Sequence, residues 1–150
     1  MTERLELVIP ERRIRARVAA DLMRQITIPF TIDFIAAASY GAGTRSSGKV
    51  ALSGLDRLDL GGRHVLVVED ILDTGRTSAA IMDRLRLREP ASLALCALLR
   101  KPAAAALELP VGYVGFDIPE DFVVGYGMDY AERHRNLRGV YRLILDGGKG

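Results

Sequence analysis

Three carboxylates lie close together in the segment VLVVEDILDTGRT, at Glu69, Asp70 and Asp73. They follow a β-branched run and precede a polar turn containing Gly75, after which apolar residues recur at helical spacing. In an open parallel sheet, ligands bind at the carboxyl ends of the strands. The sequence therefore predicts a ligand site where this strand ends.

The two halves of the segment favour opposite charges. Free N–H groups of residues 74–77, together with the helix dipole, are suited to bind a phosphate. The adjacent carboxylates would repel that phosphate unless they face sugar hydroxyls, a proton on a base, or Mg²⁺. A phosphorylated ribose satisfies both requirements and is the ligand we predict from the pattern.

Two other interpretations of the same residues remain open on spacing alone. Receiver domains of the flavodoxin-like fold also carry acidic residues at a strand end, where they hold Mg²⁺ beside a phosphorylated aspartate. A simpler interpretation is that Asp73 or Thr74 only caps the following helix. A P-loop is excluded, because the pattern GxxxxGK[ST] is absent.

The surrounding pattern predicts an α/β fold. Residues 64–68 and 92–99 are buried-type strands separated by a helix, which is a βαβ unit with a parallel sheet and a right-handed crossover. The first of these runs is continuously apolar, which predicts cover on both faces. We also predict a helix at 11–25, strands at 27–38, 49–54, 112–118 and 139–145, a mobile loop at 39–48 and a disordered tail at 147–150.

Composition narrows the class of protein. The 150 residues are 49% hydrophobic and 27% charged, which predicts a single globular domain over residues 1–150. A net charge of +2 argues against nucleic-acid binding, and one cysteine and two histidines exclude a disulfide framework and a His-rich metal site. The apolar runs are too short to cross a membrane and the charged N-terminus is unlike a signal peptide, so we expect a cytoplasmic protein.

The segment VLVVEDILDTGRT resembles the phosphoribosyl-diphosphate (PRPP) signature of type I phosphoribosyltransferases. Residues 33–50, 97–102, 114–137 and 139–145 resemble the hypoxanthine–guanine branch of that family. The resemblance implies a mostly parallel sheet flanked by helices, with a small hood made from the N-terminal helix and the C-terminal strands.

The resemblance also implies an activity. Members of the branch are purine salvage enzymes that use Mg²⁺ to transfer the phosphoribosyl group of PRPP to hypoxanthine or guanine, giving IMP or GMP and pyrophosphate. The implied partners are these small molecules, without nucleic acid or membrane, in a homodimer or homotetramer. The alternative is a catalytically impaired regulatory protein of the same fold that binds the nucleotide or PRPP without turnover.

Roles for the central segment follow from the resemblance. Asp73 would be the general acid/base at N7 of the purine, and Glu69 and Asp70 would hold the ribose hydroxyls and Mg²⁺. The residues that would bind the ribose 5′-phosphate form one continuous turn: Asp73, Thr74, Gly75, Arg76 and Thr77.

Roles outside that segment follow in the same way. Lys101 would donate to the 6-oxo group, which favours an oxo purine over adenine because lysine is only a donor. Phe122 would stack on the purine, and the Val123 backbone would bind its edge. Asp129 would lie in the purine site and, like Glu69 and Asp70, would be a metal ligand. Arg135 would contact pyrophosphate, and Ser39 and Tyr40 would begin the closing loop.

One departure from the family pattern follows Ala19, which runs directly into Ala20. The family usually has roughly twenty more residues here, a buried strand and a Leu-Lys-Gly turn that binds pyrophosphate. These residues could be absent from the sequence record only, the chain could be a short version with reduced activity, or the fold could be rearranged with contacts from a partner subunit.

Overall fold

A computed structural model describes residues 2–9, 19–39, 50–105 and 108–146. Two compact units divide the chain: Thr27–Asp117 forms one, and Met1–Ile26 with Ile118–Gly150 forms the other. Each unit is described by itself below. Among the described residues, no helix has both the length and the apolar character needed to span a membrane.

The unit of residues 27–117 contains the predicted βαβ arrangement. Its elements are β4 (His64–Leu72), α2 (Arg76–Arg86), β5 (Ser92–Arg100), α3 (Pro102–Ala105) and β6 (Val111–Asp117). The strands form a parallel sheet in the order β4-β5-β6, and Leu72 at the end of β4 lies beside Arg100 at the end of β5. The α/β class and the parallel sheet are therefore confirmed.

The core of this unit forms around the middle strand. β5 is buried from Leu95 to Leu99 because it has a strand on each side. Helix α2 packs Ile81 and Leu85 inward, as their helical spacing predicts, and it buries Met82 as well; Leu87, the last leucine of the apolar pattern, follows the helix and is exposed. Met82 belongs to one cluster with Leu72 and Leu95, so the end of β4 is fixed by apolar packing.

β4 itself is not covered on both faces, so that prediction is wrong. Its side chains alternate between exposed and half-buried, and Leu66 and Val68 are 39% and 36% exposed. The physical reason is that, among the described residues, the core of this unit packs on one face of β4: Val67 contacts both apolar clusters, whereas Leu66 and Val68 point to the opposite face. A continuous apolar run was correctly assigned to a strand, but the run does not reveal how many layers cover it.

A separate pair of short strands precedes β4. β2 (Ala36–Ser39) and β3 (Val50–Ser53) are antiparallel, and a 3₁₀ turn at Leu55–Arg57 follows. The strand predicted at 27–38 begins only at Ala36, because regular pairing exists only opposite the four residues of β3. Apolar residues in the irregular stretch, Phe34 above all, are exposed.

The other unit holds a second sheet. It contains β1 (Thr2–Ile9), α1 (Ala19–Gln25), β7 (Val123–Val124) and β8 (Val140–Asp146), with the antiparallel strand order β1-β8-β7. The stretch at residues 6–19 resembles the first helix of the family, and the helix that this predicts is wrong for residues 6–9, which belong to β1. Glu3 and Leu5 are half-buried while Arg4 and Glu6 are exposed, so the pattern has the period of a strand.

The remaining sequence predictions divide into two groups. The strands predicted at 49–54, 112–118 and 139–145 are confirmed as β3, β6 and β8, and the part of the 11–25 helix that is described is α1. Residues 10–18, the loop residues 40–49 and the tail 147–150 lie outside the described residues. Ala19 and Ala20 are consecutive residues of α1.

Candidate active site

The turn between β4 and α2 depends on Gly75. Its φ of 75° lies in the left-handed region, where a side chain costs energy, and the residue is buried. Gly75 is the N-cap of α2, so neither Asp73 nor Thr74 occupies the cap position that was predicted for them. Thr74 still contributes to the first turn, because its hydroxyl oxygen accepts the Arg76 amide at 3.4 Å, whereas Asp73 contacts Lys101.

The first turn of α2 presents backbone donors. The amide of Ala79 donates to the Gly75 carbonyl at 2.8 Å, which begins the helical hydrogen-bond series. Within the described chain, the N–H groups of Thr77 and Ser78 have no acceptor. Unpaired amides at the positive end of an eleven-residue helix can bind an anion such as a phosphate.

Glu69 is half-buried near the end of β4. Its Oε1 accepts a hydrogen bond from the Ser78 hydroxyl at 3.0 Å, and Ser78 itself is buried. Burial raises the pKa of the Glu69 carboxyl; the Ser78 hydrogen bond lowers that pKa, and the Asp70 charge raises it further. Ser78 was missed in the sequence, because a serine in a helix gives no signal of its partner.

Asp70 is exposed on the opposite face of the strand. Its Oδ1 accepts the Ile71 amide at 2.7 Å, which leaves the second oxygen without a partner among the described residues. Those residues contain no group of three or more His, Cys, Asp or Glu side chains arranged to hold a metal ion. Each of the two carboxylates offers oxygen atoms to a ligand, Glu69 on the face of Ser78 and Asp70 on the opposite face.

Lys101 and Asp73 meet at the carboxyl ends of β4 and β5. Lys101 Nζ lies 3.2 Å from Asp73 Oδ1; the lysine side chain is 10% exposed and the aspartate side chain 59%. The Lys101 amide donates to the Leu72 carbonyl at 2.9 Å, so the parallel ladder itself brings Lys101 next to the turn. A buried ammonium therefore faces a solvent-accessible carboxylate at this end of the sheet.

Phe122 and Val123 lie in the other unit, at the start of β7. The Phe122 ring is half exposed and meets the Tyr130 ring edge-on, with centroids 5.7 Å apart. The Leu143 amide donates to the Phe122 carbonyl, so the ladder between β7 and β8 uses the residue before Val123. Val123 pairs opposite Arg142 without exchanging hydrogen bonds, and its N–H and C=O point to the free edge of the sheet.

Asp129 and Arg135 are paired within the same unit. Asp129 Oδ1 lies 2.7 Å from Arg135 Nη2, and its Oδ2 accepts the Glu132 amide at 2.8 Å. Arg135 Nη1 also donates to the Gly127 carbonyl at 2.8 Å. Both oxygens of Asp129 therefore have protein partners, and the arginine stabilises the loop that follows β7.

The structure thus groups the predicted residues unevenly. Glu69, Asp70, Asp73–Thr77 and Lys101 share one end of one sheet; Phe122, Val123, Asp129 and Arg135 belong to the other unit. Ser39 ends β2, and Tyr40 lies outside the described residues. Arg76 begins α2 and is exposed.

Comparison with known proteins identifies the family of this chain. A family model, the phosphoribosyl transferase domain, matches residues 16–131. A hypoxanthine phosphoribosyltransferase from Haemophilus influenzae is 50% identical over 127 residues, which are 85% of this chain and 71% of that protein. One from Salmonella typhimurium is 40% identical over 176 positions, covering 97% of this chain and 98% of its own length.

The Salmonella alignment has positions without a counterpart in this chain. It draws on about 146 residues of this chain for its 176 positions, so about thirty positions are unmatched. The roughly twenty residues that the resemblance leads us to expect after Ala19 are of the same order.

The fold agrees with solved structures as well. The hypoxanthine-guanine phosphoribosyltransferase of Bacillus anthracis, solved with HEPES in its active site, has a TM-score of 0.83 and 36% identity, and the match covers 93% of this chain and 98% of that one. The signature segment, the sheet that presents it and these matches agree. This chain belongs to the phosphoribosyltransferase family.

Proposed function

We propose that this protein is a purine salvage enzyme that transfers the phosphoribosyl group of PRPP to hypoxanthine or guanine, giving IMP or GMP and pyrophosphate. The observation that carries the proposal is the Lys101–Asp73 pair beside the free amides of α2, because it sets a base-reading donor and a proton acceptor next to a phosphate site. The relatives from Haemophilus and Salmonella are named for hypoxanthine transfer, which supports the same base class.

The phosphoribosyl part of the substrate is assigned to the β4–α2 segment. The free amides of Thr77 and Ser78 bind the 5′-phosphate, together with the flanking residues of the turn. Glu69, held by Ser78, and Asp70 accept hydrogen bonds from the ribose hydroxyls. Their negative charges also stabilise the positive charge that develops on the sugar as pyrophosphate leaves.

The purine is assigned to Lys101 and Asp73. The Lys101 ammonium has only donors, so it binds the 6-oxo group of hypoxanthine or guanine and disfavours the 6-amino group of adenine. Asp73 accepts the N7 proton while N9 attacks the sugar, since both nitrogens belong to one conjugated ring. Because the two side chains contact each other at 3.2 Å, the base must enter beside an existing ion pair.

Phe122 and Val123 are assigned to the flat face and the edge of the purine. The exposed half of the Phe122 ring offers an aromatic face, and its edge-on contact with Tyr130 orients it. The Val123 amide and carbonyl have no partner in the β7–β8 ladder, so one donor and one acceptor are available to the ring edge.

Mg²⁺ is assigned to Glu69 and Asp70, whose oxygen donors suit a hard cation. When bound there with the substrate, it would neutralise charge on the diphosphate. Asp129 remains a proposed ligand near a second Mg²⁺ and Arg135 a proposed pyrophosphate contact; each would first have to exchange part of its present pairing. Ser39 and Tyr40 remain the proposed start of a closing loop.

The proposal also covers the number of domains, the oligomeric state and the cellular location. The family model spans residues of both units, which supports a single domain over residues 1–150. A homodimer or homotetramer and a cytoplasmic location are proposed from the resemblance alone.

The alternative, a regulator that binds nucleotide without turnover, receives no support from the relatives, since those reported above are named as enzymes.

The test is pyrophosphate release with PRPP and Mg²⁺, measured separately with hypoxanthine, guanine and adenine. We expect release with the two oxo purines and very little with adenine. Calorimetric titration with GMP is the companion measurement. Tight GMP binding without pyrophosphate release from any base would reject the enzyme in favour of the regulator.

A further inference from the structure

The outer edge of β4 carries unused backbone groups. The Lys101 amide donates to the Leu72 carbonyl, so the backbone of Leu72 points toward β5. Because alternate residues of a strand point to opposite sides, the N–H and C=O groups of Val65, Val67 and Glu69 point outward. In the described part of the chain no strand accepts them, and the next outward amide, that of Ile71, is bonded instead to the Asp70 side chain.

This edge has few of the features that normally prevent strand addition. Residues 65–68 include no charge and no proline, and β4 is in unbroken register with β5, without a bulge. Leu66 and Val68 expose apolar side chains beside the free backbone. Proteins usually protect long apolar edges with lysine, proline or bulges, because a bare edge pairs with another chain.

The comparison with Salmonella typhimurium bears on why this edge has no partner strand among the described residues. About thirty aligned positions of that relative have no counterpart in this chain, and the family resemblance predicts that a core strand is among them. A chain without that strand has to complete its sheet with a strand from elsewhere or expose the edge to water.

We propose that the edge of β4 pairs with β4 of a second copy of this chain, antiparallel about a two-fold axis at Leu66. A two-fold contact uses the same patch on both chains, so one complementary edge is enough. In this register Leu66 faces Leu66 of the partner subunit, and Val65 exchanges both hydrogen bonds with the partner subunit's Val67. The proposal assigns an interface to the homodimer proposed above, and it does not depend on the phosphoribosyl transfer activity.

Charge favours this register over one centred closer to the carboxylates. Placing the axis at Leu66 puts Arg63, which lies just before β4 and donates to the Thr31 hydroxyl at 2.7 Å, opposite the partner's Glu69, so that opposite charges face each other. An axis near Glu69 or Asp70 would instead place carboxylates of the two chains opposite one another. Like charges directly opposite across a strand pair are destabilising, so that register is disfavoured.

The molecular mass in solution shows whether two copies of the chain associate through this edge. Sedimentation equilibrium of the full chain, with a monomer mass of 16.4 kDa, should give a dimer or an assembly built from dimers. Leu66→Lys places two ammonium groups against each other at the axis and should halve the mass of the assembly. The control is Leu87→Lys, which makes the same change just after the end of α2. Leu87 is 76% exposed and distant in sequence from the β4 edge, so this substitution should leave the mass of the assembly unchanged.

A cross-link tests the register itself. Residues facing each other in a non-hydrogen-bonded antiparallel pair have Cα atoms about 4.5 Å apart, within the range that a disulfide spans. Leu66→Cys should therefore give a covalent dimer under mild oxidation, whereas Leu87→Cys should not; the native Cys96 is buried and present in both. A monomeric native chain, an unchanged mass for Leu66→Lys, or no covalent dimer from Leu66→Cys would each overturn the proposal.

Discussion

Lys101→Gln retains one N–H donor near the 6-position of the base but removes the positive charge that faces Asp73 at 3.2 Å. Glutamine also brings a carbonyl oxygen, which lysine lacks. We expect slower turnover of hypoxanthine and better use of adenine, because the variant can accept a hydrogen bond from a 6-amino group.

The magnitude follows from the burial of the lysine. A hydrogen bond from a charged donor contributes about 1.5–3 kcal/mol and one from a neutral donor about 0.5–1.5 kcal/mol, so hypoxanthine loses about 1–2 kcal/mol. Lys101 is 10% exposed, so in the native enzyme the amino group of adenine meets an unpaired donor with little water to relieve it. Removing that penalty is worth about 1–3 kcal/mol. Together these changes narrow the discrimination by about 10²-fold, from a starting value of roughly 10⁴.

The assay is kcat/KM for hypoxanthine and for adenine at saturating PRPP and Mg²⁺. The matched control is Arg100→Gln, which also removes a cation from an aspartate contact, since Arg100 binds both oxygens of Asp117 at 2.6 and 3.1 Å. The control should keep the native base preference. Native discrimination in Lys101→Gln, or an equal change in the control, would refute the assignment of Lys101 to the 6-position.

Three further predictions concern the turn, the buried carboxylate and the loop after β7. Asp73→Asn removes the proton acceptor but keeps the shape, so kcat should fall by about 10²-fold or more while GMP affinity in calorimetry changes far less. Burial raises the pKa of Glu69, so the folded protein loses stability as the pH rises and this carboxyl group ionises. Glu69→Gln removes that charge and should therefore raise the melting temperature more at pH 8 than at pH 4, although the substitution impairs PRPP binding. Gly125 and Gly127 have φ values of 93° and 96°, and substitution by alanine costs each about 1–2 kcal/mol of backbone strain. Only a Gly125 Cβ would collide with the Gly139 carbonyl, so urea unfolding should find Gly125→Ala clearly less stable than Gly127→Ala, and equal losses would contradict the clash.

The sequence predicted the parts of the fold that depend on local pattern. Strands β5, β6 and β8 and helix α2 were foreseen, because their apolar periodicity matches their final burial. The strand predicted at 27–38 is present only at Ala36–Ser39, because β-branched residues favour a strand only where a partner strand exists. β1 was missed because its alternation is short and rich in charge.

The candidate site could be predicted from the sequence only in part. The order of strand, turn and helix was sufficient to place the carboxylates at the end of β4. The pairing of Lys101 with Asp73 required the register of β4 on β5, since the two residues are far apart in sequence. The free backbone of Val123 could not be foreseen either, because it depends on which residues of β7 and β8 exchange hydrogen bonds.

The pairing of β1 with β8 has a consequence for the order of folding. Thr2 lies opposite Asp146, and Glu3 binds Arg133 and His134, so this sheet joins segments from the two ends of the described chain. The parallel sheet of residues 27–117 joins neighbours in sequence, and short loops close faster than long ones. We expect β4, α2 and β5 to gain protection from hydrogen exchange early in refolding. The strand that presents Val123 should be protected later, once β1 and β8 have met.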